Sequence, residues 1–168
     1  LFQLATHTAG FSKSDDTDID PRQLLYTPAS TWLYSDQGVN WLADALTTTW
    51  AEDLDTFLFS RVFTTMGFVR SDIQWRNNPY RTPNLSVNGS PVARREFGSG
   101  INANVNAMAR IGLLMSRKGV WENDLILSNA IVASVREPRP EIVGATIANP
   151  AGFPDATEIY GLLWWTNA

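Results

Sequence analysis

Between Gly38 and Trp50 the apolar residues Val39, Leu42, Ala43, Leu46 and Trp50 recur at three- and four-residue steps. That period lines one face of a helix and commits it to packing against a core. A second helix follows at once. In "AEDLDTFLFSRVFTTMGF" Leu54, Phe57, Leu58, Phe63 and Met66 repeat the spacing, Glu52, Asp53 and Asp55 lie in the first turn where the helix dipole favours acids, and Gly67 is the stop. Residues 68 to 103 hold Pro79, Pro83 and Pro91 among Asn, Ser and Gly, which predicts long connections carrying at most short strands. Asn104 is placed to cap a third helix whose apolar face is Val105, Met108, Ala109, Ile111, Gly112 and Met115, ending at Gly119. Ser128 caps a short fourth helix through Val135, and the aromatic-rich "EIYGLLWW" reads as a strand. Residues 1 to 8 read as a short helix ended by Gly10, before the polar loop "SKSDDTDIDPRQ". No fixed-period repeat is present.

The 168 residues are 44% hydrophobic and 18% charged, the profile of one globular domain, 1–168, with one core. A net charge of −4 with the basic residues scattered provides no footprint for nucleic acid or an anionic membrane, and neither is expected as a partner. No apolar run approaches the ~18 residues of a membrane span, and "LFQLATHTAG" lacks the basic start and long apolar core of a signal peptide. The absence of cysteine excludes disulfides, thiolate nucleophiles and cysteine-held zinc, and leaves the compartment open. Seven tryptophans point to a large aromatic core or an aromatic-lined cleft.

The segment Tyr34-Ser35-Asp36-x-Gly38 has two readings: a half-buried aromatic before a helix capped by Ser35 or Asp36, or a tyrosine held at a helix start for chemistry. Its company favours the second. "LFQLATHTAGF", then "YSDQG" and a helix, then "RVFTTMGF", then "EFGSGINANVNAMARIGLLMSRKGVWENDLILS", then "YGLLWW" resemble, in this order, the serine hydrolases of the beta-lactamase-like superfamily, which include class C beta-lactamases and family VIII esterases. The resemblance runs the length of the chain and implies an α+β fold, of which this stretch holds the helical portion and part of the sheet, mostly helical as given. It also implies a periplasmic or secreted protein, with no resident cofactor or metal.

The chemistry the resemblance implies is acyl transfer to a serine from a Ser-x-x-Lys motif, with the motif tyrosine, Tyr34, moving the proton. A free tyrosine has a pKa near ~10, so this role needs cations close by or a lysine-to-tyrosine relay. The only lysines are Lys13 and Lys118, and three residues before them stand Gly10 and Met115, so Ser-x-x-Lys is absent. A Lys-Thr-Gly segment after "YGLLWW" is absent too. The expectation is an internal piece of a longer hydrolase, with the nucleophile outside this chain. Where the family carries asparagine, Asp36 stands, and is taken as substrate-binding. An ionised aspartate only accepts hydrogen bonds and adds negative charge beside the tyrosine. The wording "YSDQGVNWL" is similar to the esterase-like and amide-hydrolase members rather than the lactamases.

Other features carry bland readings. His7 is the only histidine, no G-x-S-x-G elbow accompanies it, and "GSG" at 98–100 is too short to supply one, so His7 is assigned to packing and hydrogen bonding. Asp16, Asp18 and Asp20 alternate as in a calcium loop, but Pro21 and Thr27 stand where a glycine and a glutamate are needed. Asn84 and Asn88 open glycosylation sequons that matter only in a secretory context. Trp164 and Trp165 would face opposite ways on a strand. The predicted activity is hydrolysis of a small ester, amide or lactam through an acyl-enzyme, with that substrate and the missing remainder of the same protein as partners. The alternatives are a non-catalytic relative that binds a ligand or partner in the same cleft, and an unrelated helical interaction domain.

Overall fold

The computed structural model describes residues 1–14, 20 and 22–166. In chain order its elements are α1 (Phe2–Ala5), β1 (Thr31–Trp32), α2 (Asp36–Trp50), α3 (Leu54–Leu58), a π-helical turn (Phe59–Phe63), β2 (Ile73–Trp75), β3 (Asn84–Val87) and β4 (Ser90–Ala93). Then come β5 (Ile101–Ala103), α4 (Val105–Ser116), β6 (Val120–Trp121), β7 (Asp124–Leu125), α5 (Asn129–Arg136), a 3-10 turn (Pro140–Ile142), β8 (Thr146–Ile147) and α6 (Ala156–Ile159). This is an α+β fold. The chain divides into two compact units, Leu1–Leu42 with Ala133–Ala168, and Ala43–Val132. No helix among the described residues is long and apolar enough to cross a membrane.

In the first unit β1 pairs in parallel with β8, Thr31 opposite Thr146 and Trp32 opposite Ile147. Trp32 lies at the centre of a core with Ile142, Ala156 and Tyr160, against which Tyr34, Ile147 and Phe153 pack. The N-terminal helix closes at Ala5, earlier than the sequence suggests, because His7 adopts a left-handed φ of 59° that takes the chain out of the helix. Gly10 makes a second reversal: with φ 92°, a Cβ there would stand 2.1 Å from the Tyr26 carbonyl oxygen, while its own carbonyl accepts from the Leu25 and Tyr26 N–H groups.

The strand expected over 158–165 does not form. Residues up to Ile159 are helical, and the chain then doubles back through a tight turn in which the Gly161 N–H donates to the Trp164 carbonyl at 2.7 Å and Leu163 takes φ 56°. Gly161 permits this because a Cβ there would lie 2.6 Å from the Val135 carbonyl oxygen. The turn sets Tyr160 opposite Trp165, edge to face at 4.8 Å.

In the second unit α3 begins at Asp53, whose carboxylate caps it by accepting from Asp55 N–H and is gripped by Arg95. The expected helix over 52–66 runs as α to Leu58 and then widens, the Thr64 N–H reaching five residues back to the Phe59 carbonyl. Phe63, Met66, Phe68 and Ile73 meet Ala107 and Leu114 of α4 in one core cluster, and Ala43, Leu54 and Trp75 form another, with Leu58 against both. Trp50, read as part of the α2 core face, is 54% exposed and packs on Phe57 at 4.6 Å instead. α4 corrects the sequence reading more sharply. Asn104 caps it as expected, accepting from Ala107 N–H, but Ala107, Leu114 and Met115 are the buried residues, while Val105, Met108, Ala109, Gly112 and Leu113 form an exposed apolar stripe. The connections carry the two antiparallel pairs β2–β5 and β3–β4, the latter joined at Asn88 and Gly89 with φ 52° and 80°.

Candidate active site

The first unit's loop from His7 to Ser14 runs beside residues 33 to 37 and fixes the start of α2. Ser35 is the cap: its Oγ accepts from Gly38 N–H at 2.8 Å and donates to the Ser12 carbonyl at 2.5 Å. Ser12 answers with two bonds to Gln37 Oε1, from its N–H at 3.2 Å and its hydroxyl at 3.1 Å. The Asp36 N–H donates to the Lys13 carbonyl at 2.8 Å. His7 holds the residues on either side of Tyr34. Its carbonyl accepts from Leu33 N–H at 3.0 Å, and its Nδ1 accepts from Ser35 N–H at 3.1 Å. An accepting Nδ1 requires the neutral ring, with its proton on Nε2. Burial, and then the charge of Lys13, lower the His7 pKa to about 3, which keeps it so.

Tyr34 therefore stands two residues before the first helical residue, Asp36, on a turn tied down at four neighbours. Its ring is half-buried, tilted against His7 at 4.6 Å and stacked with Phe153 at 5.6 Å and Trp165 at 6.1 Å. Phe153 and Trp165 are themselves stacked at 5.8 Å, so three near-parallel rings line one side of the site. Trp165 keeps 40% of its surface exposed. Beneath them Tyr160 is buried, and that burial, with the neighbouring Tyr34, pushes its phenol up. Among the described residues no hydrogen bond is made by the Tyr34 hydroxyl.

Asp36 and Lys13 complete the site. The Lys13 ammonium lies 2.5 Å from Asp36 Oδ2 and 5.2 Å from the Tyr34 ring centroid. The spacing rule that ruled Lys13 out as a motif lysine left it without a role, and no local signal pairs residues 23 apart in the sequence. In the second unit Ser99 is bound to a structural carboxylate: Glu96, 2% exposed, accepts from the N–H groups of Gly98 and Ser99, from the Ser99 hydroxyl and from Arg76. Asp16 and Asp18 fall outside the described residues, and Asp20 pairs with Arg22. Asn84 opens β3 and Asn88 makes the hairpin turn. No group of three or more His, Asp or Glu among the described residues is placed to hold a metal ion.

No protein-family model matches the chain, and no curated protein is significantly similar to it. Solved structures are. A crystal structure of a presumed beta-lactamase from Bacteroides dorei DSM 17855 superposes with a TM-score of 0.72 over 98% of this chain, at 14% identity. The fold is beta-lactamase-like. Simvastatin synthase (LovD) from Aspergillus terreus, in an unliganded structure, shares this beta-lactamase-like fold with a TM-score of 0.57 over 83% of the chain, at 18% identity. The chain spans about half the length of these proteins, 51% of the first and 42% of the second.

Proposed function

We propose that the chain supplies the tyrosine side of a serine acyl-transfer site, acting on a small ester, amide or lactam through an acyl-enzyme. The serine and its lysine would lie outside these 168 residues, because no Ser-x-x-Lys occurs among them. The observation that carries this reading is Tyr34 itself: a phenol on a turn fixed by His7 and Ser12, with a free hydroxyl and an ammonium 5.2 Å from its ring. The phenol oxygen would move the proton between the serine hydroxyl and the leaving group, with Asp36 as a substrate-binding neighbour. The stacked faces of Phe153 and Trp165 suit a small apolar acyl group. Two structures of this fold bear the names of a presumed beta-lactamase and a synthase, which supports acyl-transfer chemistry without choosing its acceptor. The exposed apolar stripe of α4, in a chain half as long as its structural neighbours, supports the remainder of the same protein as its cover.

In the whole protein, Tyr34→Phe should lower turnover of p-nitrophenyl acetate at least ~100-fold, the low end for a positioned acid–base group, with little change in melting temperature. Wild-type turnover in a folded Tyr34→Phe protein would reassign the residue to packing.

A further inference from the structure

Lys13 stands outside the serine–lysine spacing, yet its ammonium is 2.5 Å from Asp36 Oδ2 and 5.2 Å from the Tyr34 ring centroid. Its backbone is anchored there independently. The Lys13 carbonyl accepts from Asp36 N–H at 2.8 Å, and the preceding residue, Ser12, is bonded to both Ser35 and Gln37. The side chain thus starts from a fixed point at the helix entry. The pair is largely solvent-exposed, 53% for Lys13 and 38% for Asp36, so it adds little to stability. Its consequence is local. A lone carboxylate at position 36 would oppose loss of the neighbouring phenolic proton and offer no hydrogen-bond donor. The ammonium cancels that charge and supplies donors of its own. His7, the titratable ring packed on Tyr34, is buried and neutral and cannot do this, and the neighbouring Tyr160, a buried phenol, carries no positive charge.

We propose that Lys13 is a positioning residue for Tyr34, neutralising Asp36 and keeping a cation beside the phenol so that its proton can leave during acyl transfer. The inference rests on the reading of Tyr34 as the proton-transfer residue. Lys13 forms no bond to substrate; it sets the potential at the tyrosine.

The test compares kcat and KM, each read separately, for p-nitrophenyl acetate in the whole protein and its Tyr34→Phe, Lys13→Met, Lys13→Arg and Lys13→Met with Asp36→Asn variants, with melting temperatures alongside. Lys13→Met should lose ~10-fold, the size of one neighbouring charge in a partly solvated site, without a matching loss of melting temperature. Lys13→Arg should stay within ~3-fold of wild type, and adding Asp36→Asn to Lys13→Met should raise kcat above that of Lys13→Met, because removing the carboxylate removes the need for its partner, while the loss of Asp36 from substrate binding is read separately in KM. Wild-type activity in Lys13→Met, with Tyr34→Phe inactive, would overturn this inference and leave the tyrosine reading standing. Failure of Asp36→Asn to raise the kcat of Lys13→Met would overturn it equally, since a merely structural lysine is not rescued by deleting a charge. Full activity in Tyr34→Phe would remove both.

Discussion

His7 is the residue on which the site's geometry turns, since it takes hydrogen bonds from the N–H groups on both sides of Tyr34. One of those bonds needs a neutral ring, and the pKa lowered to about 3 supplies it. An unfolded histidine titrates near ~6.5, so as pH falls the unfolded chain binds this proton first. The stability contributed is complete above pH ~6.5 and is lost between about 6.5 and 3, at a slope of up to ~1.4 kcal/mol per pH unit. Urea midpoints should therefore drop more steeply from pH ~6.5 to ~5 in the wild type than in His7→Gln, whose amide has no proton to gain. Parallel curves would show that His7 is not the group titrating. The sequence already marked His7 for packing and hydrogen bonding, and Tyr34 for the turn before a helix. Lys13 escaped notice for a physical reason: a motif spacing tests whether two side chains share a helix face, and Lys13 meets Asp36 through a loop folded across the helix entry.

The α2 entry illustrates how much of the secondary structure periodicity could reveal. Helical spacing located α2 and α4, the cap at Ser128 located α5, and the caps at Asn104 and Ser128 form as expected, Ser128 Oγ accepting from Ile131 N–H at 3.2 Å. Between Ser35 and Asp36 as cap, the structure selects Ser35, because Asp36 is already the first helical residue and its carboxylate is spent on Lys13. Ser35→Ala should cost ~1 kcal/mol or somewhat more, the usual value of a cap together with the lost bond to Ser12, and should lower turnover in the whole protein by loosening the Tyr34 turn. Denaturant midpoints and rates measured on the same preparation would check both, and an unchanged midpoint would show that the cap contributes nothing. Periodicity failed where elements are too short to repeat. Two-residue strands such as Thr31–Trp32 and Thr146–Ile147 exist only through each other, and the end of the chain hides a reversal behind residues of high strand propensity. The Asn88-Gly89 pair is a strong hairpin signal that a glycosylation reading obscured.

For the molecule entire, an α+β, beta-lactamase-like fold could be inferred from an ordered set of motifs although no family model matches the chain, because the motifs mark turns and caps that the fold requires. The faces of α4 were misjudged, since a helix apolar on most of its circumference does not declare which side is covered. A chain with a positioned tyrosine and no activated serine should be chemically silent alone. Residues 1–168 should take no label from a fluorophosphonate probe, whereas the whole protein should be labelled at a serine outside this numbering. Stoichiometric labelling of the isolated chain, at Ser99 for instance, would place the nucleophile within it.

The double tether from His7 has a further bearing on ancestry. The groups that hold Tyr34 in place, His7, Ser12 and Ser35, take no part in the proposed proton transfer, so a lineage that lost such a reaction would still need them to fold. Descendants of either habit would carry the same scaffold and superpose alike. Within these 168 residues, position 34, read together with 13 and 36, would tell the working lineage from the retired one.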